Sequence, residues 1–115
     1  MAWAVEAIDA FAEWLGNLPE DSRVEILAHI AVLEEIGPGL TRPRADTLKH
    51  TNLKNLRELR IQIKGSPWRV LYAFDPRRVA VLLVGGCKEG DDRWYPKHIP
   101  IAERLYAEHL AALNK

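Results

Sequence analysis

From Arg57 to Val84 the chain runs in period two, broken twice by turn residues. Leu59, Ile61 and Ile63 alternate with Glu58, Arg60, Gln62 and Lys64, the pattern of a half-buried strand. Gly65-Ser66-Pro67 is turn chemistry. Trp68 to Phe74 reads as a second strand, Asp75-Pro76-Arg77-Arg78 as a turn, and Val79 to Val84 as a third strand that Gly85-Gly86 should end. The third is apolar on both faces and belongs inside a sheet. Short connections of this kind predict a three-stranded antiparallel meander. A chain of 115 residues has core enough for one domain, so 1–115 reads as a single unit.

The flanking segments supply helices. Trp3 to Ile8 is short and partly alternating, and reads as a strand. Phe11, Trp14, Leu15 and Leu18 fall at i, i+3, i+4 and i+7, one face of a short helix with Asp9 as its N-cap. Leu18-Pro19-Glu20-Asp21 opens a second helix running to about Ile36, with Ile26, Leu27, Ile30, Ala31 and Leu33 on its apolar side and Gly37-Pro38-Gly39 as its stop. Residues 40–56 read as irregular, with Leu48, Leu53 and Leu56 tucked beneath. Pro100 is expected to start a last helix to about Leu113, with Ala102, Leu105, Tyr106 and His109 on one side. The class is α+β: an N-terminal strand, a helical hairpin, the meander and a C-terminal helix, the helices packed on one face of the sheet.

Charge is segregated. Residues 1–37 hold eight acids and one base, residues 38–78 ten bases and three acids, and the rest is balanced. The net charge of zero is therefore a cancellation, and the basic middle marks an interaction surface. With one cysteine, Cys87, there is no intrachain disulfide framework. The first fifteen residues have no Lys or Arg, unlike a secretory n-region, and the longest apolar run, Val79 to Val84, is too short to span a bilayer. A cytoplasmic protein without a membrane role is expected. No metal or cofactor is expected either: Cys87 stands alone, and Gly85-Gly86 lacks the rest of a phosphate loop.

The first two meander strands can pair in either of two parities. Placing Lys64 opposite Arg69 puts Leu59, Ile61, Ile63, Val70, Tyr72 and Phe74 on a core face, with Arg60, Gln62, Lys64 and Arg69 on an open one. That parity buries more apolar surface and keeps charge outside. On an open face, Arg69→Ala should leave the fold intact.

The run NLRELRIQIKGSPWRVLYAFDPRR and the later segment DDRWY resemble the RelE/ParE superfamily of bacterial toxins, in its phage-derived HigB-like branch. The resemblance covers roughly Leu48 to Leu110. It implies a RelE-like compact fold, a type II toxin–antitoxin system with a helix-turn-helix antitoxin as partner, and endonucleolytic cleavage of mRNA, commonly on the ribosome, that inhibits growth. ParE relatives instead poison DNA gyrase, and a non-catalytic member would only bind its antitoxin. By likeness to RelE-type toxins, the basic side chains of the site fall on Arg60, Arg69 and Lys88, and the aromatic position falls near Trp94 and Tyr95. A lysine common on the RelE meander is Gln62 here.

The chemistry of such a site can be set out independently. Cleavage through the neighbouring 2′-hydroxyl needs a base, cations around the phosphate and an acid at the leaving oxygen. Arg60, Arg69, Lys88, Arg93 and Tyr95 form the expected catalytic set, the arginines matching phosphate with a planar fork. Tyr95 beside cations is expected to ionise more easily. Glu89, Asp91, Asp92 and His98 are further acid–base candidates. Lys64, Gln62, Asp92, Trp94 and His98 are expected to touch RNA, with Trp94 stacking on a base.

Overall fold

In a computed structural model describing residues 2–115, the chain forms β1 (Val5–Ala7), α1 (Asp9–Gly16), α2 (Glu20–Ile36), β2 (Ala45–Thr47), β3 (Leu56–Ile63), β4 (Ser66–Phe74), β5 (Ala80–Cys87) and α3 (Trp94–Leu113). The strands make one five-stranded sheet in the order β1-β5-β4-β3-β2. The meander β3-β4-β5 is its middle, β1 joins β5 in parallel and β2 joins β3 antiparallel. The expected α+β architecture is present, with β5 flanked on both sides. β2 lies within the stretch read as irregular; three residues are too few to show a period.

The parity of the first hairpin is the expected one, but its pairing lies nearer the turn. Lys64 and Gly65 both have positive φ, 51° and 83°, the signature of a two-residue hairpin turn. Strand β4 therefore starts at Ser66, and Arg60, not Lys64, stands opposite Arg69. Leu59, Ile61, Ile63, Val70 and Tyr72 are buried in one core with Phe11, Ile26, Ile30 and Leu33 of α1 and α2, and Phe74 packs against it.

The other sheet face is covered too, which corrects the expectation of helices on one face. Leu56, Leu71, Ala73, Val81 and Leu83 meet Trp94, Ile99, Ala102 and Tyr106 of α3 in a second core. Helix α3 begins at Trp94 rather than at Pro100, which lies exposed inside it. Strand β5 runs through Gly85 and Gly86 rather than stopping there. These glycines are seats for indoles: an added Cβ would lie 2.5 Å from Trp14 at Gly85 and 2.9 Å from the Trp94 indole nitrogen at Gly86. Asp9 is the first residue of α1, following an N-cap at Ile8, and caps nothing. Leu27 and Ala31 face solvent; α2 buries Ser22, Ile26, Ile30 and Leu33 instead.

Asp75, after β4, is a structural knot. Its buried carboxylate accepts from Arg77 Nε and Nη2, from His109 Nε2 at 2.9 Å, and from the backbone N–H groups of Arg77 and Val79, while Arg77 also reaches Glu6. Burial pushes this carboxyl up, but the donors outweigh it and hold its pKa at about 2. A folded pKa below the unfolded value means that the unfolded chain binds the extra proton. Stability is therefore complete above about pH 4 and drains away as pH falls through about 2. Asp75→Asn should flatten that acid limb in pH-dependent unfolding and cost on the order of 1–3 kcal/mol at neutral pH.

Candidate nucleic-acid site

Arg60 on β3 and Arg69 on β4 are direct cross-strand partners on the α3 side of the sheet. Like charges placed this way repel. Glu58, two residues before Arg60 on the same face, reconciles them. Its Oε2 accepts from Arg60 Nη1 at 3.0 Å, and its Oε1 lies 3.3 Å from Arg69 Nε. The Glu58 and Arg69 side chains are only 4% and 8% exposed, against 29% for Arg60, so Arg60 is the cation that solvent reaches.

Helix α3 completes the cluster. With Trp94 seated on Gly86, the next residue, Tyr95, lies over the arginines. Its hydroxyl donates to Glu58 Oε1 at 2.6 Å and accepts from Arg69 Nε at 3.1 Å. Lys88, just past β5, holds its ammonium 5.7 Å from the centre of the Tyr95 ring, a cation–π contact. Burial, then the bond to Glu58, pushes the Tyr95 phenol above its ordinary value, and the Arg69 bond only partly opposes this. Tyr95 is thus a protonated donor at neutral pH; the expectation of easier ionisation is reversed. Next to the cluster, Arg42, Pro43, Arg60, Gln62 and Arg69 line an open groove of about 310 Å³. Such a groove, lined by three arginines, suits a phosphodiester chain.

Residues 13–107 match the family described as phage-derived protein Gp49-like. Two relatives, both from Mycobacterium tuberculosis, align over nearly the whole chain. The putative toxin HigB2 is 39% identical over 96% of this chain and 56% of its own length. The putative toxin HigB3 is 38% identical over 95% of each. The chain belongs to the Gp49-like family. It is HigB-like. The chain spans about half the length of the first relative and nearly all of the second. Its fold is that of RelE: a mutant of the Escherichia coli toxin RelE in the free state matches with a TM-score of 0.56 at 15% identity, covering 80% of this chain and 90% of that one. The RelE–RelB complex from Pyrococcus horikoshii matches at 0.55 and 20% identity, covering 78% and 99%.

In this Gp49-like chain the residues named from sequence separate into two groups. Arg60, Arg69, Lys88, Tyr95 and Gln62 come together. Arg93 and Asp92 are exposed at the start of α3, where the Arg93 backbone N–H donates to Asp91. Lys64 leaves the cluster, because the hairpin turn delivers its ammonium to Asp21 of α2 at 2.6 Å on the opposite side of the sheet. Trp94 is buried and pins α3, so it is not a free stacking surface. His98 stacks on Trp94 at 4.1 Å and donates from Nδ1 to the Trp94 carbonyl. Glu89 accepts from Ser66, and Asp91 pairs with Lys97. The supposed open face thus carries buried charge, and Arg69 lies inside. The residue missed from sequence is Glu58. Its signal was present: it is the one acid between Asp46 and Asp75, and it is in phase with Arg60 and Gln62.

Proposed function

We propose that the chain is the toxin of a type II toxin–antitoxin system and acts as an mRNA endoribonuclease in the cytoplasm. The observation that carries this reading is the Arg60–Glu58–Arg69–Tyr95 cluster beside an open basic groove, in a member of a family whose relatives bear the name of toxins. Arg60 clamps the scissile phosphate, with Arg69 adding its positive field from behind, and stabilises the charge that builds on its oxygens. Lys88 adds a third cation. The Tyr95 phenol gives its proton to the departing 5′-oxygen. Glu58, buried beneath them, holds Arg60, Arg69 and Tyr95 in register; water takes the proton of the attacking 2′-hydroxyl and returns one to Tyr95. Arg93 and Asp92, exposed at the mouth, meet flanking nucleotides. The ribosome is the platform that presents the mRNA, and a helix-turn-helix antitoxin is the partner that silences the toxin.

Tyr95→Phe should lower cleavage by about 10²–10⁴-fold, the size of a lost proton donor. It should cost only about 1 kcal/mol of stability, since Arg60 and Arg69 still satisfy Glu58. Single-turnover cleavage and a denaturant curve on the same sample check both numbers. The system is tested in cells. Inducing the chain should arrest bacterial growth, and co-expressing a helix-turn-helix protein encoded beside it should restore it. Growth unaffected by the free chain would overturn the toxin reading.

A further inference from the structure

A second cleft of about 490 Å³, lined in part by Tyr95, opens between residues 48–50 and the first turns of α3. One wall is apolar, made by Tyr95, Pro96, Ile99 and Pro100, and Leu48 faces it. Lys49 and His50 lie at its edge, and Glu103 closes its end. Glu103 also fixes the shape of the cleft: its Oε2 accepts from both the Thr51 hydroxyl, at 2.5 Å, and the Asn52 backbone N–H, at 2.7 Å. Those bonds leave Oε1 as an acceptor for a ligand. A flat apolar slot with one acceptor and a basic edge, sharing Tyr95 with a phosphate clamp, matches a base splayed out of single-stranded RNA.

We infer that this cleft is the base-specificity subsite and takes a nucleobase adjoining the clamped phosphate. The free Glu103 oxygen selects bases with an exocyclic amino group (adenine, cytosine, guanine) over uracil. A carboxylate accepts from such a group, whereas uracil offers it only a single N3–H flanked by two carbonyls that repel it. The inference rests on the ribonuclease reading for its substrate, but its test does not depend on turnover.

The probes are the four nucleoside 3′-monophosphates, titrated into isotope-labelled full chain and followed by backbone amide shifts. Signals of 48–50 and of Tyr95, Ile99 and Glu103 should move. The amino-bearing nucleotides should bind about fivefold tighter than the uridine nucleotide, the worth of one hydrogen bond. Glu103→Gln retains an amide oxygen for Thr51 and Asn52 and should erase that preference. Pro100→Trp, made from an exposed position, fills the slot and should weaken all four by about tenfold, within the range of a lost base stack. Dispersed spectra report that both variants fold. Shifts confined to Arg42, Arg60, Gln62 and Arg69 would overturn the inference, as would a Pro100→Trp chain that binds like the parent. If nucleotides fill the cleft yet no RNA is cut, the cleft stands and the ribonuclease reading fails. If RNA is cut with one base preference by parent and both variants, the ribonuclease stands and the cleft is refuted.

Discussion

Replacing Arg69 by alanine should lower stability by about 3–5 kcal/mol and abolish RNA cleavage together, because it strands a buried carboxylate. Glu58 is 4% exposed and would keep only the Arg60 and Tyr95 donors. The loss of stability belongs to the carboxylate that keeps only a partly exposed cation beside it, rather than to the lost volume. The double variant Glu58→Met/Arg69→Met removes both charges at similar size, and should therefore recover most of the stability while remaining inactive. Urea unfolding of the three chains measures the first effect and cleavage of a single-stranded RNA the second. An alanine variant as stable as the parent would contradict a buried, coupled Glu58–Arg69 pair.

Arg60→Ala should behave differently, with cleavage falling by about 10²–10³-fold, the cost of one preorganised donor to a developing oxyanion. Its side chain is 29% exposed, and Glu58 keeps Arg69 and Tyr95 without it. The unfolding midpoint should move by no more than about 1 kcal/mol's worth. A contrast between the two arginines, one carrying stability and activity and the other activity alone, follows from burial.

The central hairpin was legible because its parity rests on short-range alternation: Leu59, Ile61 and Ile63 could share a face with Val70 and Tyr72 in only one way. The exact pairing was not, because it depends on Lys64 adopting positive φ, a choice that the glycine after it permits but does not announce. The larger gap concerns the second face. Pro100 and Gly85-Gly86 read locally as a helix start and a strand end. Both readings fail because Trp94, eight residues further on, folds back onto Gly86, starting α3 six residues early. That one contact between side chain and strand covers Arg69, pairs Tyr95 with Glu58 and turns an apparent solvent face into a site. Arg60, Arg69, Lys88 and Tyr95 could be named from resemblance, but the carboxylate that organises them needed the register and α3 together. Lys64 shows the reverse failure: it alternates in phase with Arg60, yet the turn carries it to Asp21.

The zero net charge of the chain fits this arrangement. The acidic first third forms α1 and α2 on one side of the sheet, and Glu58 neutralises part of the basic cluster on the other. A compact site of this kind binds phosphate locally without a uniformly basic surface, which keeps non-specific attraction to nucleic acid low.

The most direct test is the chemistry of the RNA ends. A defined mRNA is incubated with purified chain, with and without ribosomes, beside the Arg60→Ala variant. Attack by the 2′-hydroxyl under an arginine clamp predicts fragments with 2′,3′-cyclic phosphate and 5′-hydroxyl ends, formed by the parent and reduced at least a hundredfold in the variant. Intact RNA in both preparations, or the same fragments at the same rate from the variant, would contradict the assignment of this cluster as the cleaving site.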